Sequence, residues 1–264
     1  MISNETVGDN MWEFLEWLKV VKKRNNRTIK QYASILREFR RFEPITEKSW
    51  RRYLETITKN KPTTQRNKLT VVKMYLNWKV DNGLLATRTR FWNQAEPSKS
   101  KPLPKALELE EVQAIINATN DQYYRAVFSL LANTGMRVSE LLNLQKDDVV
   151  LTAKSAKIFI RGKGNKERVV KVDKRIVEQA IKAGVLDRKV SPRAIEKAIK
   201  KAAEKAGIKK KVTPHMLRHS FAVALVEQGV PINKVQALLG HASLAITGVY
   251  LTIAADNFEV PILV

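Results

Sequence analysis

The chain has 264 residues, 44% of them hydrophobic, which is enough for one large or two ordinary domains with real cores and excludes a disordered basic tail. Its formal charge of +22 is split evenly, 21 basic against 10 acidic residues in 1–100 and 27 against 16 in 101–264, so a polyanion met by both parts is expected. There is no cysteine, no apolar run near the roughly 18 residues of a membrane span, and no basic-then-apolar start; disulfides and thiolate metal sites are excluded, and a cytoplasmic protein with no membrane contact is expected.

Four short helices are predicted first, from apolar residues at helical spacing: Met11, Phe14, Leu15 and Leu18; Tyr32, Leu36 and Phe39; Trp50, Tyr53, Leu54 and Ile57; Leu69, Val72, Leu76 and Val80, with Gly83 as the stop. Trp12 and Trp17 are read as core or helix-packing residues. Basic residues between the stripes, among them Arg24, Arg27, Arg51, Arg52, Arg66 and Lys68, are expected to meet backbone phosphates without reading bases. From Ala95 to Lys105 three prolines and three lysines predict an extended linker. The division is therefore a helical domain over 1–94, a linker over 95–105 and a second domain over 106–264.

In the second domain, Leu107 to Ala118 and Tyr124 to Ala132 read as helices. Thr134-Gly135 signals a turn, after which Arg137 precedes a helix with Val138, Leu141, Leu142 and Leu144 inward. Lys157 to Arg161 and Arg168 to Val172 read as a β-hairpin whose long mobile turn carries Lys163 between two glycines. Ser191-Pro192 starts a helix with an apolar stripe and a face of lysines, and Lys209, Lys210 and Lys211 follow as further phosphate contacts. Thr213-Pro214 reads as N-cap and first helical position, which puts His215 in an exposed first turn, where free N–H groups favour an anion, and Arg218 on the same face. Pro231 opens another helix that Gly240 ends, leaving His241 just past the stop, and Ser243 caps a last short helix carrying Tyr250. All three histidines lie between 215 and 241. The fold class is mainly α with a small β-hairpin, α+β.

His215-Met216-Leu217-Arg218, then Leu239-Gly240-His241, then Tyr250, resembles the C-terminal signature of the tyrosine recombinases, the phage-type integrases and Xer recombinases. Thr134 to Leu141 resembles that family's first arginine box, and Gly162 to Arg168 its lysine hairpin. The resemblance implies an N-terminal core-binding domain and a C-terminal catalytic domain closing on a duplex, and cleavage of DNA through a 3′-phosphotyrosyl ester without metal or cofactor. It assigns Tyr250 as nucleophile, Arg137 and Arg218 as a bidentate clamp on the non-bridging oxygens, Lys163 as acid for the 5′ oxygen, His215 as base and His241 as a phosphate hydrogen-bond donor. Glu140 is expected to hold the arginine or His215 in place, and His219 to be structural.

A Xer-like resolvase of chromosome or plasmid dimers is the leading expectation, because residues 1–94 leave no room for a further arm-binding domain. The alternatives are an integrase or transposon enzyme, a type IB topoisomerase, which shares the chemistry, and an inactive DNA-binding relative. The expected partner is double-stranded DNA with a specific site, held by a homo-tetramer or dimer of dimers. The apolar end of the tail Ala254 to Val264 is expected to bury in a groove, either of its own catalytic domain or, the favoured expectation and the one the resemblance implies, of a neighbouring protomer on DNA.

Overall fold

The computed structural model describes residues 9–87, 89–96, 106–162, 167–188, 190–240, 247–248 and 251. The chain divides into two compact units, residues 1–101 and 102–264, each with its own buried core.

The first unit holds the four predicted helices: α1 (Asp9–Val20), α2 (Asn26–Phe39), α3 (Glu47–Thr58) and α4 (Pro62–Asp81). Their starts follow local chemistry. Asn25 Oδ1 accepts the Thr28 N–H at 2.9 Å, Thr46 and Ser49 cap each other ahead of α3, and Pro62 occupies the first turn of α4. Gly83, at φ +72°, stands just past the end of α4. Phe14, Phe39, Tyr53, Leu76 and Trp92 fill the core, with the Phe39 and Tyr53 rings edge to face at 4.9 Å. Trp92 belongs to a short 3₁₀ turn, Phe91–Gln94, that the periodicity does not reveal; its Nε1 donates to Asn77 Oδ1 at 2.9 Å. The two early tryptophans differ from each other. Trp17 packs against the core and stacks on Phe14, as expected, whereas Trp12 is exposed because it lies on the opposite face of α1 from Phe14 and Leu18.

The second unit runs α5 (Leu109–Ala118), α6 (Gln122–Thr134), α7 (Val138–Leu142), β1 (Val149–Leu151), β2 (Ser155–Arg161), β3 (Glu167–Asp173), α8 (Lys174–Lys182), α9 (Pro192–Lys205), α10 (Pro214–Glu227) and α11 (Ile232–Leu239). The predicted hairpin is present and wider than its five-residue strands suggested. It is joined by β1, so the sheet has three antiparallel strands in the order β1-β2-β3. Alternation decides what faces the core: Ala156, Ile158 and Ile160 of β2 and Val170 and Val172 of β3 are buried, while Lys157, Phe159, Val169 and Lys171 face out. The helix α8 is a second addition, its first turn capped by Asp173.

The core of this unit collects α6, the sheet and α9, and α10 packs against α6. Ser220 of α10 closes the start of the unit. Its Oγ donates to the Leu107 carbonyl and accepts the Leu107 N–H, both at 2.7 Å. Among the described residues no helix is long and apolar enough to cross a membrane.

Candidate active site

The site starts from a glycine. At the end of α6 the chain turns at Gly135, φ +61°, where a Cβ would lie 2.4 Å from Phe221 Cδ1 and 3.0 Å from Leu239 Cδ2. Only a residue without a side chain lets α6, α10 and α11 approach this closely. The turn delivers Arg137 to the N-cap of α7, where its N–H donates to Glu140 Oε2 at 2.8 Å and its Nη1 to Glu140 Oε1 at 2.7 Å. Glu140 therefore holds the Arg137 guanidinium by a charge-assisted bond, the first of the two arrangements expected for it.

Two further arginines meet at the same carboxylate. Arg168, the second residue of β3, donates from Nη1 and Nη2 to Glu140 Oε1 and Oε2 at 3.1 and 2.7 Å, and from Nε to the Leu238 carbonyl at 2.7 Å. Arg218, one turn into α10, donates from Nη1 to the Gly135 carbonyl at 2.6 Å and from Nη2 to the Leu239 carbonyl at 2.5 Å, with Nη1 3.8 Å from Glu140 Oε2. Arg218 thus joins the Gly135 turn to the Leu239-Gly240 turn.

Burial sorts the three arginines. The side chains of Glu140, Arg168 and Arg218 are 4, 8 and 4% exposed, and that of Arg137 is 35% exposed. Arg137 presents an open head; the other two guanidiniums are fixed beneath the surface. Burial alone would raise the Glu140 carboxyl, but the Arg168 fork, the Arg137 N–H and the Arg137 guanidinium outweigh it and hold the pKa down at about 2. Glu140 is ionised at any working pH, and three guanidiniums around one carboxylate leave a positive surplus suited to a phosphate.

His215 follows Pro214 in the first turn of α10 and keeps an exposed edge. Desolvation by the surrounding protein, then the charges of Arg218 and Arg137, push its pKa below 6.5, with Glu196 opposing. A neutral imidazole at pH 7, able to accept a proton, is the result. Thr213 caps the helix by backbone conformation without a side-chain hydrogen bond, contrary to the expected side-chain cap. His219, one turn on, is half-buried, and desolvation, His215 and Arg218 push its pKa down to about 4.

The structure thus brings together Arg137, Glu140, His215 and Arg218; Lys163, His241 and Tyr250 lie outside the described residues, as does the tail from residue 252. Arg168 is the member that sequence reasoning missed. Its signal was register: it stands opposite Ile160 and alternates with Val170 and Val172, so a charged residue occupies a core-facing position.

Of the expected phosphate contacts, Arg24, Arg27, Arg51, Arg52, Lys209 and Lys211 are exposed and Arg66 is half-buried. Two lysines are engaged within the protein. Lys68 Nζ lies 2.6 and 2.8 Å from the Glu38 carboxylate oxygens, with its side chain largely buried, so its charge is already compensated. Lys210 Nζ is 2.6 Å from Glu111 Oε2.

The profile of the phage integrase family matches residues 105–257. The tyrosine recombinase XerD of Halalkalibacterium halodurans is 29% identical over 285 residues, covering 93% of this chain and 93% of its own. The tyrosine recombinase XerA of Thermococcus onnurineus is 39% identical over 182 residues, 62% of this chain and 63% of its own. The fold is also that of the XerH site-specific recombinase in its post-cleavage complex with a palindromic difH substrate, with a TM-score of 0.78 at 20% identity over 94% of this chain and 81% of the other. Since the matched span takes in the Arg137 turn, the Arg168 strand and the His215 helix together, the chain belongs to the phage integrase family and is a site-specific tyrosine recombinase.

Proposed function

We propose that the chain is a Xer-like recombinase that resolves chromosome or plasmid dimers in the cytoplasm, acting on double-stranded DNA as a homo-tetramer or dimer of dimers. The observation that carries this reading is the Glu140 carboxylate, which holds Arg137 with its head open while Arg168 and Arg218 stay buried, near a histidine kept neutral at pH 7. A cation set of this kind, fixed before substrate arrives, meets the charge that develops on a five-coordinate phosphorus without reorganising.

In this reading the open head of Arg137 takes the non-bridging oxygens directly, and Arg218, held beneath it by the Gly135 and Leu239 carbonyls, completes the clamp once the phosphate is seated. Tyr250 Oη bonds to phosphorus as the bond from phosphorus to the 5′ oxygen breaks. The tyrosine proton passes to His215, the departing oxygen takes a proton from Lys163, and His241 donates to a non-bridging oxygen. The 3′-phosphotyrosyl ester conserves the bond energy. Attack by another 5′ hydroxyl reverses each transfer, so neither ATP nor a metal is needed for balance. Arg24, Arg27, Arg51 and Arg52 position the duplex through its phosphates, and the tail from Ala254 passes to the neighbouring copy.

The test is a nicked suicide duplex built on the crossover site mapped in the organism's own replicon. A covalent 3′ adduct is expected without Mg²⁺ or ATP, and Tyr250→Phe is expected to bind the duplex and form none. An adduct that persists in Tyr250→Phe would remove the nucleophile and with it the mechanism.

A further inference from the structure

Arg168 does not reach the surface, yet it touches two of the segments from which the site is built. It sits one residue after the start of β3, five residues beyond Lys163 in the sequence. Its two terminal nitrogens fork onto Glu140, which in turn holds Arg137, and its Nε holds the Leu238 carbonyl, in the last turn of α11 before Gly240 and His241. Gly240 accommodates it. A Cβ at that position would lie 3.2 Å from Arg168 Nη1 and 3.4 Å from its Cδ.

An arginine this buried is a poor means of gaining stability. Desolvating the guanidinium and the carboxylate consumes much of what their attraction returns, and an apolar side chain of similar volume often leaves a protein equally stable or more so. What the guanidinium supplies and an apolar group does not is direction. A Glu carboxylate has a broad, two-fold terminal torsion. Here that torsion is fixed because both oxygens receive the planar fork, and the oxygen that takes Arg168 Nη1 also takes Arg137 Nη1.

We infer that Arg168 is a positioning residue for cleavage, one that sets the Arg137 guanidinium through Glu140 and the Leu239-Gly240 turn, which leads to His241 in the sequence, through the Leu238 carbonyl. It does not touch the phosphate. The inference rests on the mechanism proposed above, in which Arg137 and His241 meet the scissile group. Displacement of such groups by about 1 Å slows chemistry on the order of 10²-fold.

The test uses full-length Arg168→Gln and Arg168→Lys on the same nicked duplex, measuring the dissociation constant and the single-turnover rate of adduct formation separately. Arg168→Gln is expected to bind within about twofold of the parent and to form adduct on the order of 10²-fold more slowly. Arg168→Lys keeps a charge beside Glu140 but cannot serve two oxygens and a carbonyl at once, so it is expected to recover only part of the rate with unchanged binding. Should Arg168→Gln fail to fold, the Lys variant decides alone. A rate equal to the parent's, or a loss of rate matched by an equal loss of binding, overturns the positioning role while leaving the mechanism standing. Absence of adduct from the parent chain overturns the mechanism and the role together.

Discussion

At Arg218 and Arg168 positive charge is withdrawn from water almost completely, and protein acceptors replace the lost hydration: two backbone carbonyls for Arg218, Glu140 and a third carbonyl for Arg168. His219 illustrates the opposite solution, since burial beside the same charges removes its proton. The sign of the consequence is fixed. With a pKa of about 4 folded against about 6.5 unfolded, the unfolded chain binds the proton first, so stability is complete above pH 6.5 and falls as pH is lowered toward 4. His215 adds in the same direction. Urea unfolding at pH 7 and pH 5 is expected to give a lower midpoint at pH 5, and His219→Gln to remove part of that drop, at most about 1.4 kcal/mol per pH unit. Parallel pH profiles for the two chains would refute the burial assigned to this ring.

Among the elements, the turn between α6 and α7 is the most tightly constrained. Gly135 combines a left-handed backbone with a side-chain position already filled by Phe221, whereas Gly184, after α8, has the same sign of φ at +72° and open space around it. Gly184→Ala is expected to cost about 1 kcal/mol of backbone strain, and Gly135→Ala on the order of 1–3 kcal/mol beyond that, because the Phe221 ring must give way. Chemical denaturation of both variants checks this, and equal losses would mean that α6 and α10 can separate freely.

The same elements show what a sequence discloses. Helices α2, α3 and α9 were legible because their buried stripes recur at helical spacing and their caps are local residues. The strand β1 has three residues, too few to display a period, and α8 is nine residues opening on Lys-Arg directly after a strand. The arginine box, the lysine hairpin and the His215 helix were readable as motifs, each being contiguous. Arg168 and Lys68 were not. The roles of those two are fixed by Glu140 and Glu38, 28 and 30 residues distant, and by which face of an element closes on another.

For the whole molecule, charge is the property that both units share: residues 1–101 carry a surplus of 12 basic residues (22 against 10) and residues 102–264 a surplus of 10 (26 against 16). Because each unit has its own buried core, fragments 1–101 and 102–264 are expected to bind duplex separately and weakly, and the intact chain to show a steeper fall of log affinity with log salt than either. A slope supplied wholly by one fragment would confine DNA contact to that unit. The wiring of the second unit carries a different implication, one that bears on biosynthesis. Ser220 reaches back 113 residues to Leu107, Arg218 reaches 83 to Gly135, and Arg168 reaches 70 forward to Leu238. Contacts of such separation form late, after local helices have consolidated. A chain still emerging from the ribosome, or one cut short before Leu238, has Arg168 and Arg218 without the Leu238 and Leu239 carbonyls that hold them. On the mechanism proposed above, half-made copies, which also lack Tyr250, are expected to be chemically silent, so that cleaving activity arises only when translation has passed the last of its parts.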